Sequence, residues 1–170
     1  MRFYIKRFFP FLFLCLFQLG EAQYYFGRNK IQYNQFQWHI LKTQHFDIYF
    51  YPEMESLAEI GAYYAEESYH YLQDKFNHSL LKRIPLVFYS SHFHFEETNT
   101  LPYLIPQGLG GFFEFIKGRV VVPCDGSIDR FRQTIRHELI HVFQRSYLHR
   151  IYKDHRLTQG KHIPLWFIEG

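Results

Sequence analysis

The sequence predicts an α+β domain with a mixed β-sheet that ends in an edge hairpin, one long packing helix, a helix with the motif "HELIH", and a C-terminal helix that carries a glutamate. Short runs rich in aromatic and β-branched residues, typical of strands, lie on both sides of a long segment with helical periodicity. A glycine-bounded pair of short apolar runs indicates the hairpin. Helical periodicity then returns around "RHELIHVFQR", residues 136–145.

The first 22 residues have the composition of a secretory signal peptide. Basic residues at the start precede an apolar run from Phe8 to Leu19, and Gly20-Glu21-Ala22 provides small residues before a cleavage site. The apolar run is shorter than the ~20 residues that a transmembrane helix needs. We therefore expect cleavage after Ala22 and export to the periplasm or the extracellular space, with no membrane span in the mature protein. Residues 23–170 are expected to form one domain.

Charge and cysteine content exclude a nucleic-acid partner and an intrachain disulfide from our expectations. Without residues 1–22 the net charge falls from +3 to +1, because Arg2, Lys6, Arg7 and Glu21 are lost. No stripe of Lys and Arg remains of the kind that neutralises phosphates, so we expect no nucleic-acid partner. Cys15 lies in the signal segment, which leaves Cys124 without an intrachain disulfide partner.

The first half of the mature chain predicts strand, helix and strand. Residues 36–52 read as one strand or as a hairpin whose second arm is "HFDIYFY". From Glu53 onward, larger apolar residues recur at steps of three and four, with alanines between them, which predicts a long amphipathic helix. The run Arg83–Ser91 predicts a buried strand. The expected core positions of the helix are Leu57, Ile60, Tyr64, Tyr71 or Leu72, and Phe76.

The second half predicts a hairpin followed by a helix. In residues 107–127 a glycine-rich lead reaches "FFEFI", Lys117-Gly118 offers a turn, and "RVVVP" returns. Ser127 is a plausible N-cap for the next helix, and Asp129 suits the helix dipole there. The expected apolar stripe, on the opposite side from the two histidines of the motif, comprises Ile128, Phe131, Ile135, Leu139 and Val142.

The "HELIH" motif points to a metal site. Residues four apart on a helix lie side by side, so His137 and His141 can both reach one metal ion. Glu138 is expected on the flank of that face, where it can serve as a base toward water. With eleven histidines in the chain, the motif alone does not decide between a metal site and a solvated polar face.

A zinc site also needs a third protein ligand. Gln144 and Tyr147 occupy the positions where the metzincin pattern requires Gly and His, which excludes that arrangement. His149, His155 and His162 are conceivable ligands in a polar stretch, residues 149–162, that we expect to be a loop. Glu169 in "PLWFIEG" is the better candidate, because Pro164 suits the first turn of a helix and an acid in an apolar run needs a partner.

The order of these motifs resembles a known family. "RHELIHVFQ" followed by "PLWFIEG" is similar to the gluzincin arrangement, and together with "FDIYFY" and "GGFFEFIKGRVVVPCDGS" it resembles the peptidase MA-like domains of bacterial envelope proteins. The resemblance covers essentially all of residues 24–170. It implies a zincin-like fold and zinc-dependent peptide-bond hydrolysis, with His137, His141 and Glu169 as zinc ligands and Glu138 as general base.

The same resemblance implies a peptide or protein substrate that adds to the edge hairpin as an extra strand. Such domains are often followed by a TolB-type β-propeller, which we expect only in a longer protein. The sequence stops directly after the expected third ligand, so we expect the domain to be C-terminally incomplete, which leaves the activity of this chain open. The alternative function is a non-catalytic envelope interaction module that keeps the zincin fold; an acid at position 138 favours the enzyme.

Overall fold

The computed structural model describes Lys30 and residues 33–101 and 104–155. The described residues from position 33 onward belong to one compact unit, which is the subject of the description below. Its strands are β1 (His39–Lys42), β2 (Phe46–Phe50), β3 (Ile84–Tyr89), β4 (Phe112–Glu114) and β5 (Arg119–Pro123). Its helices are α1 (Glu55–Phe76), α2 (His92–Glu96) and α3 (Ile128–Asp154).

The five strands form one mixed sheet in the order β1-β2-β3-β5-β4. β2, β3 and β5 run parallel, while β1 and β4 are antiparallel to their neighbours at the two edges. The parallel pairs need crossovers, which α1 provides between β2 and β3. The α+β class, the mixed sheet and the edge hairpin are therefore confirmed. Residues 36–52 contain two antiparallel strands, β1 and β2, that form a hairpin, rather than one strand.

The main core lies between one face of the sheet and helices α1 and α3. Phe88 of β3 meets Phe131 of α3 with ring centroids 4.9 Å apart, and Tyr69 of α1 meets Phe143 of α3 at 5.3 Å. Phe46 and Ile48 of β2 are completely buried on the same side. Because three layers converge here, the position of α3 is determined by both the sheet and α1.

Helix α1 packs on the sheet through small residues. Its buried positions include Ala58, Gly61, Ala62 and Ala65, and a Cβ built on Gly61 would lie 2.5 Å from the Phe88 ring. The expectation that Ile60 belongs to the core is wrong, since it is exposed, and of the two alternatives Tyr71 and Leu72 it is Leu72 that is buried. Small side chains bring this part of the helix close to the strands.

Helix α3 begins as the sequence predicts and continues further. The Ser127 side chain accepts a hydrogen bond from the Arg130 N–H at 3.3 Å, which confirms the N-cap. The prediction of a loop from residue 149 is wrong as far as Asp154, because the helix continues through this polar stretch. Phe131, Ile135 and Leu139 are buried as expected, whereas Ile128 is exposed and Phe143 replaces Val142 as the fully buried position.

The β4–β5 hairpin has a four-residue turn that Glu114 stabilises. The Glu114 carboxylate accepts hydrogen bonds from the N–H groups of Ile116 and Lys117 and from the Arg119 side chain. Gly118 has a φ of 69°, a left-handed conformation that glycine adopts without strain. Burial raises the pKa of the Glu114 carboxyl, but these hydrogen bonds and the charge of Arg119 outweigh it, so the pKa is lowered below its ordinary value.

This lowered pKa predicts a pH-dependent contribution to stability. Glu114→Gln should decrease the free energy of unfolding by about 1 to 3 kcal/mol at pH 7, since hydrogen bonds to a charged group are lost. The ionised carboxylate contributes fully above the unfolded-state pKa of about 4.3, and its contribution disappears as the pH falls through the lowered pKa of the folded state. Urea denaturation at pH 7 and at pH 3 measures both values. Glu59→Gln, at an exposed position of α1, is the control, and an equal loss at both pH values would contradict the prediction.

Two further predictions fall outside the described residues. The signal segment, residues 1–22, and the "PLWFIEG" segment with Glu169 belong to the part of the chain for which no structure is described. Within the described part, no helix is both long enough and apolar enough to cross a membrane.

Candidate metal centre

His137 and His141 converge on one point. They lie one turn apart on α3, and their Nε2 atoms are 3.2 Å from each other. Two nitrogens bound to one zinc at about 2.0 to 2.1 Å with a tetrahedral angle are separated by about 3.3 Å. The two rings are perpendicular, with an interplanar angle of 90° and centroids 4.8 Å apart. The pair is therefore arranged as two ligands of a single metal ion would be.

Gln144 orients one of these rings. Its Oε1 lies 3.2 Å from Nδ1 of His141, so the Nδ1–H can donate to it and leave the Nε2 lone pair for a metal. An outer hydrogen bond of this kind is usual for histidine ligands of metals. The sequence analysis used Gln144 only to exclude the metzincin pattern. Its spacing of three residues from His141 was the signal that could have identified it as a positioning residue.

Glu138 has a different environment from the two histidines. It is only 6% exposed, whereas His137 is exposed and His141 is half-buried. A Cβ built on Gly111 would lie 3.4 Å from Cγ of Glu138 and 2.8 Å from Cγ2 of Thr134. The glycine before β4 thus allows the hairpin to approach α3 closely at the glutamate. Gly111 and Thr134 were not identified as site residues, because their role depends on this contact.

The edge strand β4 runs alongside the part of α3 that carries the motif. Just before β4, Gly111 approaches Thr134 and Glu138 of α3. Further along the hairpin, the rings of Phe113 and Phe115 lie 5.7 and 5.8 Å from the Arg145 guanidinium of the same helix. His137 and His141 lie between these two contact points along the helix. In the described residues, β4 has a strand partner on one side only. Within the described part of the chain, the other edge of β4 is therefore unpaired, on a strand that packs against α3.

A cavity lies beside the N-terminal part of α3, next to the segment that leads into β4. Its volume is about 390 Å³, and Thr134, one turn before Glu138, contributes to its wall together with the Gln107–Gly110 segment. Asp125 and Arg130 form an ion pair at its rim. If a peptide were bound with one of its peptide bonds at Glu138, a neighbouring side chain of that peptide would reach this space. The cavity is therefore a candidate subsite.

The third ligand is not among the nearby described histidines of α3. His149 lies eight residues after His141 and twelve after His137, which corresponds to about 12 and 18 Å along a helix. His155, at the helix end, is about 21 Å from His141 by the same rise per residue. Neither can join the two motif histidines, so these two alternatives are excluded. Glu169 and His162 lie outside the described residues.

The donor set fits zinc as far as it is described. Two neutral imidazoles with converging Nε2 atoms, one of them oriented by an amide oxygen, are ligands that zinc commonly uses. The carboxylate of Glu138, one residue after the first histidine, is buried. No family model, curated protein or solved structure matches this chain.

Proposed function

We propose that the protein is a zinc-dependent metallopeptidase domain of the gluzincin type, similar to the peptidase MA-like domains, with a zincin-like fold. His137, His141 and Glu169 would hold one zinc ion. The observation that carries this proposal is the 3.2 Å separation of the Nε2 atoms of His137 and His141. On the same helix, the side chain of Glu138 lies where Gly111, just before β4, approaches closely. This combination would supply paired imidazoles, a carboxylate and a strand edge for an extended peptide on adjoining elements of the fold.

Glu138 is the group that moves protons in the proposed reaction. A zinc ion at this position would supply Lewis acidity, which polarises a carbonyl and makes water a better nucleophile. Glu138 takes a proton from the attacking water and transfers it to the nitrogen of the leaving amine, so that the C–N bond breaks to give a free amine. Its burial keeps bulk water away from this carboxylate, which favours transfer to the substrate.

The edge strand β4 positions the substrate. An extended peptide that pairs with β4 gains main-chain hydrogen bonds independently of its sequence, and the cavity at Thr134 accepts one of its side chains. Such a substrate is a protein segment or peptide in extended conformation. The N-terminal signal pattern supports an exported protein that meets its substrate in the periplasm or outside the cell, and a downstream β-propeller would belong to a longer form.

Metal content tests this proposal directly. We expect the purified chain, after dialysis against metal-free buffer, to retain one tightly bound zinc ion that elemental analysis detects. Because His141 and Gln144 are already hydrogen-bonded in the orientation required, little rearrangement opposes binding. A folded sample that contains His137, His141 and Glu169 and still has no stoichiometric metal would contradict the assignment.

A further inference from the structure

We infer that His45, Glu66 and His70 form a second metal site, which takes a borderline divalent cation such as Zn²⁺, Ni²⁺ or Cu²⁺. His45 lies in the turn between β1 and β2, while Glu66 and His70 lie one turn apart on α1. One donor atom from each residue lies within 4.8 Å of the other two. The sequence analysis did not identify this cluster, because 21 residues separate His45 from Glu66.

Two of the three donors are already held in place. Glu66 Oε1 accepts a hydrogen bond of 2.9 Å from the main-chain N–H of His45, and Glu66 Oε2 lies 2.6 Å from Nδ1 of the same residue. The His45 ring stacks on Tyr69 with centroids 3.6 Å apart and an angle of 11°. Fixed donors lose little conformational entropy when a ligand binds, which favours a metal.

A cation can take the place of the hydrogen bond between Nδ1 of His45 and Oε2 of Glu66, with the imidazole N–H then on Nε2. Metal–nitrogen and metal–oxygen bonds of about 2.0 to 2.2 Å require the two donor atoms to be about 3 Å apart, slightly more than the observed 2.6 Å. Binding therefore needs a small opening of the pair. His70 is exposed, so its ring is free to turn toward the same point.

The position of His70 is what distinguishes this cluster from an ordinary ion pair. The rings of His45 and His70 are nearly perpendicular, at 86° with centroids 5.4 Å apart, which is close to the arrangement of His137 and His141. An ion pair between His45 and Glu66 has no need of a second imidazole at this distance. Two imidazoles and one carboxylate favour Zn²⁺, Ni²⁺ and Cu²⁺ over Mg²⁺ and Ca²⁺, which prefer oxygen ligands.

A cation here would connect the β1–β2 turn to α1. Tyr69, which stacks on His45, also contacts Phe143 of α3, two residues after His141. The site therefore lies at one end of a series of ring contacts, stacked from His45 to Tyr69 and edge-to-face from Tyr69 to Phe143, that reaches the helix with the "HELIH" motif. Because a cation that binds only the folded chain stabilises it, we expect the melting temperature to rise by several degrees at a cation concentration about 100-fold above the dissociation constant.

Calorimetric titration of the untagged chain with Ni²⁺ tests the inference. In the His137→Ala/His141→Ala double variant, which lacks the motif ligands, one Ni²⁺ should bind per chain. His70→Ala, which removes an exposed donor and leaves the His45–Glu66 pair intact, should weaken this binding by more than ~10-fold. His39→Ala, at an exposed histidine at the start of β1, is the matched control and should leave it unchanged.

The unaltered chain provides a second measurement if the double variant does not fold. In the unaltered chain, His70→Ala should remove one of two Ni²⁺-binding events. If the motif histidines bind no metal, His70→Ala should remove the single Ni²⁺-binding event that remains. Failure of the second metal site can therefore be distinguished from failure of the zinc site at the motif. Broadening of the His45 and His70 imidazole NMR signals by substoichiometric Cu²⁺ is expected as well. Equal Ni²⁺ binding with and without His70, or no binding outside the motif, would overturn the inference.

Discussion

Glu138→Gln is expected to reduce the rate of peptide hydrolysis by ~10² to 10⁴-fold while leaving the zinc content of the protein unchanged. Gln has nearly the same size as Glu, so it should fit the buried position beside Gly111 and preserve the fold. It cannot accept a proton from water, however, which removes the base. Hydrolysis of a broad peptide library, followed by mass spectrometry, together with elemental analysis, measures both quantities.

Asp129→Asn is the matched control for this prediction. It makes the same change from acid to amide on the same helix, at an exposed position in the first turn, and should leave the rate nearly unchanged. If Glu138→Gln cleaves the library as fast as the unaltered protein, Glu138 is not the base. If neither protein cleaves any peptide while both retain zinc, the non-catalytic envelope interaction module becomes the better interpretation.

His137→Ala is expected to remove the tightly bound zinc and the activity together. It deletes one of the two converging Nε2 atoms, so zinc affinity should fall by more than the ~10 to 100-fold that is typical when only an outer hydrogen bond to a ligand is lost. His137 is exposed, so the fold should persist, as far-UV circular dichroism can verify. Elemental analysis after dialysis measures the zinc.

His149→Ala provides the control for metal loss. It removes an imidazole from the same helix, about 12 Å beyond His141, where it cannot contact the same ion. The zinc content should therefore remain that of the unaltered chain. Zinc retained by His137→Ala but lost by His149→Ala would mean that the metal lies elsewhere on the helix, and the gluzincin assignment would fail.

The positions of helices and strands were largely predictable, whereas the packing faces were only partly so. Alternation and turn residues locate β2, β3 and the β4–β5 hairpin, because these depend on local properties of the chain. On α1 the predicted apolar positions pack against the core, except for Ile60, which is exposed. What the large residues did not indicate is the close approach of Gly61 to Phe88. The end of α3 was missed because a polar segment in water can be a helix as readily as a loop.

The candidate site also has features that the sequence predicts and features that it does not. His137 and His141 are brought together by helical spacing alone, so their convergence was predictable from the motif. The burial of Glu138 depends on how closely Gly111 approaches α3, and the cluster of His45 with Glu66 and His70 depends on how a turn meets a helix. Contacts between distant segments of this kind cannot be derived from one sequence by periodicity.

The length of the edge strand has a consequence for solubility and for selectivity. An open strand edge can pair with a second copy of the same protein and start aggregation, and very short edge strands are one way in which proteins limit this risk. β4 has only three residues, so it offers a few main-chain hydrogen bonds to any visiting chain. Self-association through this edge should therefore be weak. For the same reason a bound peptide must gain most of its affinity from its side chains, so discrimination between peptides should depend on the residues next to the cleaved bond.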